Sequence, residues 1–293
     1  MSFQIKGVYT AIVTPFDVQG NIDEATYRNL IDFQIENGID GIVPCGTTGE
    51  SPTLSHEEHD RLIEITVEHV NKRVPVVAGT GSNSTREAVR LSTHAKRAGV
   101  DGVMVVNPYY NKPTQKGLLL HFSEVANAVD IPVMVYNIKG RTGVNVETDT
   151  LMELCAACKN IIAVKEASGD LEQMKSVISR RREGFSVMSG DDTMALKLVG
   201  EGGDGVVSVA SNIIPGKMVE MVHCALQGDI QAATALETPL VDFFKAMFVE
   251  TNPIPIKTAM AVAGKCQEIF RLPMCSLSTE ENRKIVTDAL AKI

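Results

Sequence analysis

The chain has no apolar run that approaches a membrane span, and its 293 residues include only six cysteines, at 45, 155, 158, 224, 266 and 275. The first absence excludes a transmembrane helix, which needs about 20 consecutive apolar residues. The second excludes a disulfide framework, because six unevenly spaced thiols do not staple a chain of this length. Cys155 and Cys158 have the spacing of a redox or metal pair. They lie inside 147–159, which reads as a helix, and no second pair completes a zinc site. The first sixteen residues are interrupted by Thr10, Thr14 and Pro15 and do not read as a signal peptide, so the expected compartment is the cytosol.

Positive charge is also short. Lys and Arg number 28 against 36 Asp and Glu, a formal net charge of -8, and no basic stripe is interleaved with aromatics. A nucleic-acid or anionic-membrane partner is therefore not expected, although small anionic substrates are untouched by this argument. Metal and phosphate motifs are missing too. The histidines at 56, 59, 69, 94, 121 and 223 all fall on predicted helices and form no dense ligand pattern, so no metal is assigned. Ser189-Gly190-Asp191-Asp192 carries two acids where phosphate-binding barrels usually offer a glycine-rich nest, which disfavours phosphorylated substrates.

What is present is a repeated turn. Asn37-Gly38-Ile39-Asp40-Gly41-Ile42, Ala98-Gly99-Val100-Asp101-Gly102-Val103 and Gly203-Asp204-Gly205-Val206 each read as a helix-ending glycine that leads into a buried strand. Arg73-Val74-Pro75-Val76 and Asp130-Ile131-Pro132-Val133 form a second set. With 7–14, 161–165 and 186–189 they make eight strand candidates, nearly all separated by an amphipathic segment long enough for a crossover helix. Helices are predicted over 23–37, 55–71, 84–98, 114–129, 148–159, 171–182 and 193–199, with Ser55 and Glu58 as a capping box. From about 215 onward only helical pattern remains, broken at Asn252-Pro253-Ile254-Pro255 and at Pro273. The expected fold is an α/β TIM barrel, (β/α)8, over 1–224, followed by a C-terminal helical region over 225–293. An open doubly wound sheet is the alternative, but no glycine-rich nucleotide fingerprint follows the first strand.

In such a barrel the carboxyl ends of the strands and the loops after them build the active site. Ile161-Ile162-Ala163-Val164-Lys165 ends there on a lysine. Partial desolvation would leave neutral amine near pH 7 to attack a ketone, which makes Lys165 a candidate nucleophile. A lysine that snorkels out of a strand end, or pairs with a core carboxylate, is the alternative. After the second strand, Gly46-Thr47-Thr48-Gly49 suits a nest of donors for a small carboxylate, or a tight turn. Strand five ends in Tyr136-Asn137, followed by Arg141-Thr142-Gly143. The tyrosine could relay a proton and the arginine could grip a carboxylate, against core packing and a surface ion pair. Tyr109 and Tyr110, after strand four, add two phenols to the same rim.

Gly46-Thr47-Thr48-Gly49-Glu50-Ser51, Tyr136-Asn137 with Arg141-Thr142-Gly143, and Val164-Lys165-Glu166-Ala167-Ser168 resemble, in order and spacing, the pyruvate-dependent Schiff-base lyases and synthases. The resemblance runs over about 7–263 and takes in Phe248-Val249-Glu250 and Asn252-Pro253-Ile254-Pro255. It implies that Lys165 forms an imine with pyruvate without any cofactor, and that the derived enamine attacks L-aspartate 4-semialdehyde on the diaminopimelate route to lysine. It implies that Thr47 and Thr48 hold the pyruvate carboxylate, that Gly190 and Val207 line the pocket, and that Arg141 binds the second substrate's carboxylate. Tyr136, Thr48 and Tyr110 match a proton relay in which Tyr110 reaches into a neighbouring subunit, so a homotetramer built from tight dimers is implied.

The same resemblance implies feedback inhibition by L-lysine at Ser51, His56, His59, Asn83, Glu87 and Tyr109. Lys139 departs from the family's usual proline, and Pro52 stands where relatives often have alanine. A sibling lyase that cleaves sialic acid or a 2-keto-3-deoxy sugar acid uses the same lysine, but sialic acid lyases usually resemble serine-threonine where this chain has Thr47-Thr48. A silent keto-acid sensor on the same fold would normally have lost the nucleophile.

Overall fold

The computed structural model describes residues 4–293. Eight parallel strands, β1 Gly7–Ala11, β2 Gly41–Val43, β3 Val77–Gly79, β4 Gly102–Val106, β5 Val133–Asn137, β6 Ile161–Glu166, β7 Ser186–Ser189 and β8 Gly205–Ser208, pair in the order β2-β1-β8-β7-β6-β5-β4-β3. The two ends of that series meet through one parallel bridge, Ile42 to Val76. Around it the Ile42 N–H donates to the Pro75 carbonyl at 3.0 Å and the Gly79 N–H to the Pro44 carbonyl at 2.8 Å. The sheet thus closes into the expected (β/α)8 barrel.

Strands covered on both faces need apolar residues on both, which is why they read as short Val- and Ile-rich runs. The two-residue period then sorts side chains between two layers. Along β6, Ile161 and Val164 join the layer shared with the surrounding helices, and Ala163 joins Tyr9, Met104, Met134, Tyr136, Met188 and Val207 inside the barrel. Lys165 follows Ala163 by two residues and shares its inward face. The pairing with β5 skips Ile162, passing from Val133–Ile161 to Met134–Ala163, and this irregularity lets Ile161 and Val164, three residues apart, share the outer layer. Each fully buried Val or Leu contributes about 1.5 to 3 kcal/mol relative to exposure and holds the register beyond that point.

The helix starts follow their caps. Asp23, Thr114 and Ser55 accept backbone N–H bonds at the first turns of Glu24–Glu36, Gln115–Ala128 and His56–Val70. The predicted capping box is complete, with the Ser55 hydroxyl accepting from the Glu58 N–H at 3.2 Å and the Glu58 carboxylate from the Ser55 N–H at 2.9 Å. Two strands begin later than expected. Pro75 and Pro132 have no N–H to give to a ladder, so β3 starts at Val77 and β5 at Val133, while both proline carbonyls still accept, from Ile42 and from Val103. The echo at 203–206 likewise enters its strand only at Gly205, whose φ is +143°; a side chain there would stand 1.9 Å from the Gly7 carbonyl oxygen. A one-turn helix, Lys139–Thr142, occupies the loop after β5 and was not expected from the sequence.

Beyond β8 come Pro215–Leu226, Ile230–Glu237, Val241–Ala246, Ile254–Val262 and Glu280–Leu290. Phe243, Phe244, Ile256, Met260 and Val286 from this region belong to the same apolar cluster as the barrel's outer layer. The expected division after 224 falls in the last turn of Pro215–Leu226. Among the described residues, no helix is long and apolar enough to cross a membrane.

Candidate active site

Lys165, the penultimate residue of β6, lies in the barrel interior with 5% of its surface exposed, and among the described residues its Nζ has no hydrogen-bond partner. Its neighbour is aromatic: Tyr136 is its register partner on β5, and the Nζ lies 4.2 Å from the ring centroid. Burial pushes the Lys165 ammonium down to about 7; Asp192 opposes that shift and Arg141 adds to it. Half-neutral near physiological pH, this amine is a competent nucleophile toward a carbonyl carbon. Burial acts oppositely on the Tyr136 phenol and raises it to about 12, against the pull of Arg141 and Thr47, so the phenol stays protonated and can donate.

The loop after β2 brings the threonines. Cys45 and Glu50 both adopt left-handed backbone, at φ of 56° and 54°, on either side of Gly46-Thr47-Thr48-Gly49. Such conformations cost non-glycine residues about 1 to 3 kcal/mol each and persist where surrounding structure imposes them. Thr48 is buried, and its Oγ1 accepts from the Asn252 amide at 3.0 Å. The Asn252 carbonyl in turn accepts from Arg141 Nη2 at 2.9 Å. The same residue therefore fixes Thr48 and the Arg141 guanidinium.

Gly190, just past the end of β7, meets Lys165 directly. A Cβ built there would stand 2.6 Å from the Ala167 methyl and 3.0 Å from Lys165 Cε, so only glycine lets the lysine side chain pass. Val207 lies on the inner face of β8 with Tyr136. Asp192, two residues past Gly190, is buried and accepts the N–H groups of Val209 and Ala210 at 3.0 and 2.8 Å. Burial raises its carboxyl to about 6. Among the described residues no three His, Cys, Asp or Glu side chains gather around a space for a metal ion.

A cavity of about 380 Å³ opens beside this cluster. Thr47, Tyr136 and Arg141 line it together with Ser51, His56, His59, Glu87 and Tyr109, so five of the six residues tied to the expected inhibitor share it. Asn83 does not line it; its carbonyl accepts from Asn111 at 2.8 Å. His59 is committed elsewhere, its Nε2 donating to the Gly79 carbonyl at 2.9 Å, and burial keeps the ring below its usual range and neutral. Glu87 accepts from the Ser82 hydroxyl and lies 2.7 Å from His56 Nε2, and these contacts hold it ionised. Lys165, Thr48, Gly190 and Val207 are not in the cavity wall; Lys165 adjoins it through the Tyr136 ring. Tyr110 is 90% exposed, at φ of 73°, and within one chain it does not join Tyr136 and Thr48.

Sequence reasoning missed Asn252 as a site residue, because its contact with Thr48 spans 204 positions. The available signal was its place in the Asn252-Pro253-Ile254-Pro255 motif. Asp192 was read only as an acid that disfavours phosphate, and its burial beside Lys165 was not legible.

A (β/α)8 barrel with a buried lysine near the carboxyl end of its sixth strand has the architecture of enzymes that form a Schiff base. The family model described as the dihydrodipicolinate synthetase family matches residues 4–292. The chain belongs to this family. It is 54% identical over 280 residues, 96% of each chain, to 4-hydroxy-tetrahydrodipicolinate synthase of Syntrophus aciditrophicus (strain SB). Its structure is similar to that of the chloride-inhibited dihydrodipicolinate synthase of Acinetobacter baumannii complexed with pyruvate, at a TM-score of 0.96 and 42% identity over 98% of both chains. It is also similar to the enzyme of Cyanidioschyzon merolae with lysine bound, at a TM-score of 0.94 and 39% identity over 98% of this chain and 99% of that one.

Proposed function

We propose that Lys165 is the nucleophile with which this chain condenses pyruvate with L-aspartate 4-semialdehyde. The reaction yields 4-hydroxy-tetrahydrodipicolinate on the diaminopimelate route to lysine. The observation that carries the reading is the buried, unpaired Lys165 amine against the Tyr136 ring.

The neutral amine adds to the keto carbon of pyruvate, and loss of water from the carbinolamine leaves a protonated imine. That cation withdraws electrons from the adjacent methyl group, which gives up a proton to become the enamine. The enamine carbon then bonds to the aldehyde carbon of the second substrate, the new alkoxide takes a proton, and the second substrate's own amino group adds to the restored imine carbon and expels the Lys165 amine, which closes the ring and frees the enzyme. Tyr136, whose ring packs against the amine, exchanges the proton, and Thr48 carries it onward, oriented by Asn252. Thr47 and Thr48 hold the pyruvate carboxylate, Arg141 takes the carboxylate of the aldehyde substrate, and Gly190 and Val207 leave room for the ketone.

Tyr110 completes the relay from a neighbouring subunit, which accounts for a tyrosine left exposed on strained backbone. The assembly is accordingly a homotetramer of tight dimers, working in the cytosol, and L-lysine inhibits it where Glu87 lines the cavity. Catalysis resides in 1–224, with 225–293 as the helical region packed on the barrel.

The test is a coupled assay with pyruvate and aspartate semialdehyde run beside a sialic acid cleavage assay, with borohydride trapping in pyruvate. Turnover in the first assay and a mass adduct on the Lys165 peptide are expected. Cleavage of sialic acid instead, or an adduct elsewhere, overturns the reading.

A further inference from the structure

The sequence marks Glu50 only as the end of a glycine-rich turn, yet its side chain is among the most deeply buried acids of the molecule. Its Oε1 meets Lys257 Nζ at 2.5 Å, with both side chains sealed from solvent. Its Oε2 accepts the backbone N–H of Arg271 at 3.2 Å. Lys257 is held over the rings of Phe16 and Phe270, at 4.2 and 5.2 Å from their centroids. A fully buried ion pair is expensive to desolvate, and well-packed apolar residues usually serve stability as well or better. Such a pair calls for a role other than stability.

Its position supplies one. Glu50 is the left-handed residue that ends the Thr47-Thr48 turn, and its own N–H donates to the Thr47 carbonyl at 3.1 Å. Lys257 belongs to Ile254–Val262, the helix that follows Asn252, whose amide holds Thr48. The C-terminal segment 252–257 therefore grips the turn at two points, at Thr48 through a hydrogen bond and at Glu50 through a charge. Neither Glu50 nor Lys257 lines the cavity or touches Lys165, so they act only through the turn.

We propose that the Glu50–Lys257 ion pair is a positioning device that ties the C-terminal helix to the strained turn and so sets Thr47 and Thr48 against the pyruvate carboxylate and the proton relay. This rests on the reading of Thr47 and Thr48 given above. Displacements below 1 Å in such a constellation are costly, whereas Lys165 stands on a separate strand and keeps its place.

The experiment compares Glu50→Gln, Lys257→Met and the double variant with the wild type. The readouts are the pyruvate KM, kcat, thermal unfolding, and the fraction of Lys165 trapped by borohydride in saturating pyruvate. The expected result for each single variant is a raised pyruvate KM, a lowered kcat and a loss in kcat/KM of about ten- to a hundredfold. Trapping at saturation should stay complete, and the double variant should be no worse than the worse single one. Glu50→Gln keeps a hydrogen-bonding group of the same size, so it serves if Lys257→Met fails to fold. A pyruvate KM and kcat within about twofold of wild type in Glu50→Gln, or activity that falls only in step with the trapped and folded fraction, overturns the proposal. Trapping on a residue other than Lys165 in the wild type overturns instead the reading beneath it.

Discussion

Tyr136 and Lys165 are register partners on neighbouring strands, and the lysine Nζ rests 4.2 Å from the centre of the phenol ring. The ring face attracts an ammonium, while burial expels the charge; burial prevails and leaves the amine near neutrality at about 7. One protonated phenol thus packs against the amine proposed above as the nucleophile.

Imine formation should follow the deprotonated amine. With Lys165 titrating at about 7, the trapping rate at low pyruvate should rise about tenfold per pH unit below 7 and level off above it. Borohydride trapping from pH 5.5 to 9 measures this, and a flat profile would show that the amine's titration does not limit the step.

The same burial should be visible as a stability cost. The folded lysine titrates at about 7 and an unfolded one at about 10.4, so between those values the unfolded chain binds more protons and stability rises with pH. Below 7 the wild type bears the whole cost. Lys165→Met should therefore be more stable at pH 6, by on the order of 4 kcal/mol if the whole shift is realised, with the gain shrinking toward pH 10. Urea unfolding at pH 6 and 9.5 decides it, and a less stable variant at pH 6 counts against the argument.

Arg141→Ala should damage use of the aldehyde substrate and spare the imine. Loss of a charged carboxylate contact from a pocket costs about 2 to 5 kcal/mol in kcat/KM for that substrate. Equal loss of trapping by pyruvate would mean that the Arg141 bond to the Asn252 carbonyl shapes the whole site.

A mixed assembly tests Tyr110. Lys165→Ala and Tyr110→Phe chains, each inactive alone, should regain part of the wild-type activity after subunit exchange, because a hybrid pair contains one intact site. Mass spectrometry confirms exchange, and absence of recovery after it removes Tyr110 from the relay.

Lysine inhibition should depend on Glu87, which Ser82 and His56 keep ionised and which can pair with an α-ammonium. Activity against millimolar lysine should fall in the wild type and persist in Glu87→Ala. His59, already spent on the Gly79 carbonyl, should contribute through packing, so His59→Gln is expected to weaken inhibition less than Glu87→Ala.

Much of this was written in local pattern. Lys165 could be placed because a β-branched run has a two-residue period and an end, and Ser55 with Glu58 announced a helix start that the structure keeps. The prolines misled by four residues at β3 because they accept from the sheet without donating to it. What stayed hidden are contacts that only closure creates. Asn252 meets Thr48 and Lys257 meets Glu50 across more than 200 positions, and neither charge nor spacing along the chain names such partners.

Between β2 and β3 the ring is joined by one parallel bridge, Ile42 to Val76, and by the Gly79 N–H on the Pro44 carbonyl, and the cavity lies along that same join, with Cys45 and Gly46 on one bank and Gly79 and Gly81 on the other. This join is a single bridge where β5 and β6 share five register pairs, so the amide protons of Ile42 and Gly79 should exchange with solvent before those of β5 and β6. A molecule held in the cavity would lean on both banks at once and slow that exchange. The ring's weakest stitch would then report occupancy, hydrogen by hydrogen, without any turnover.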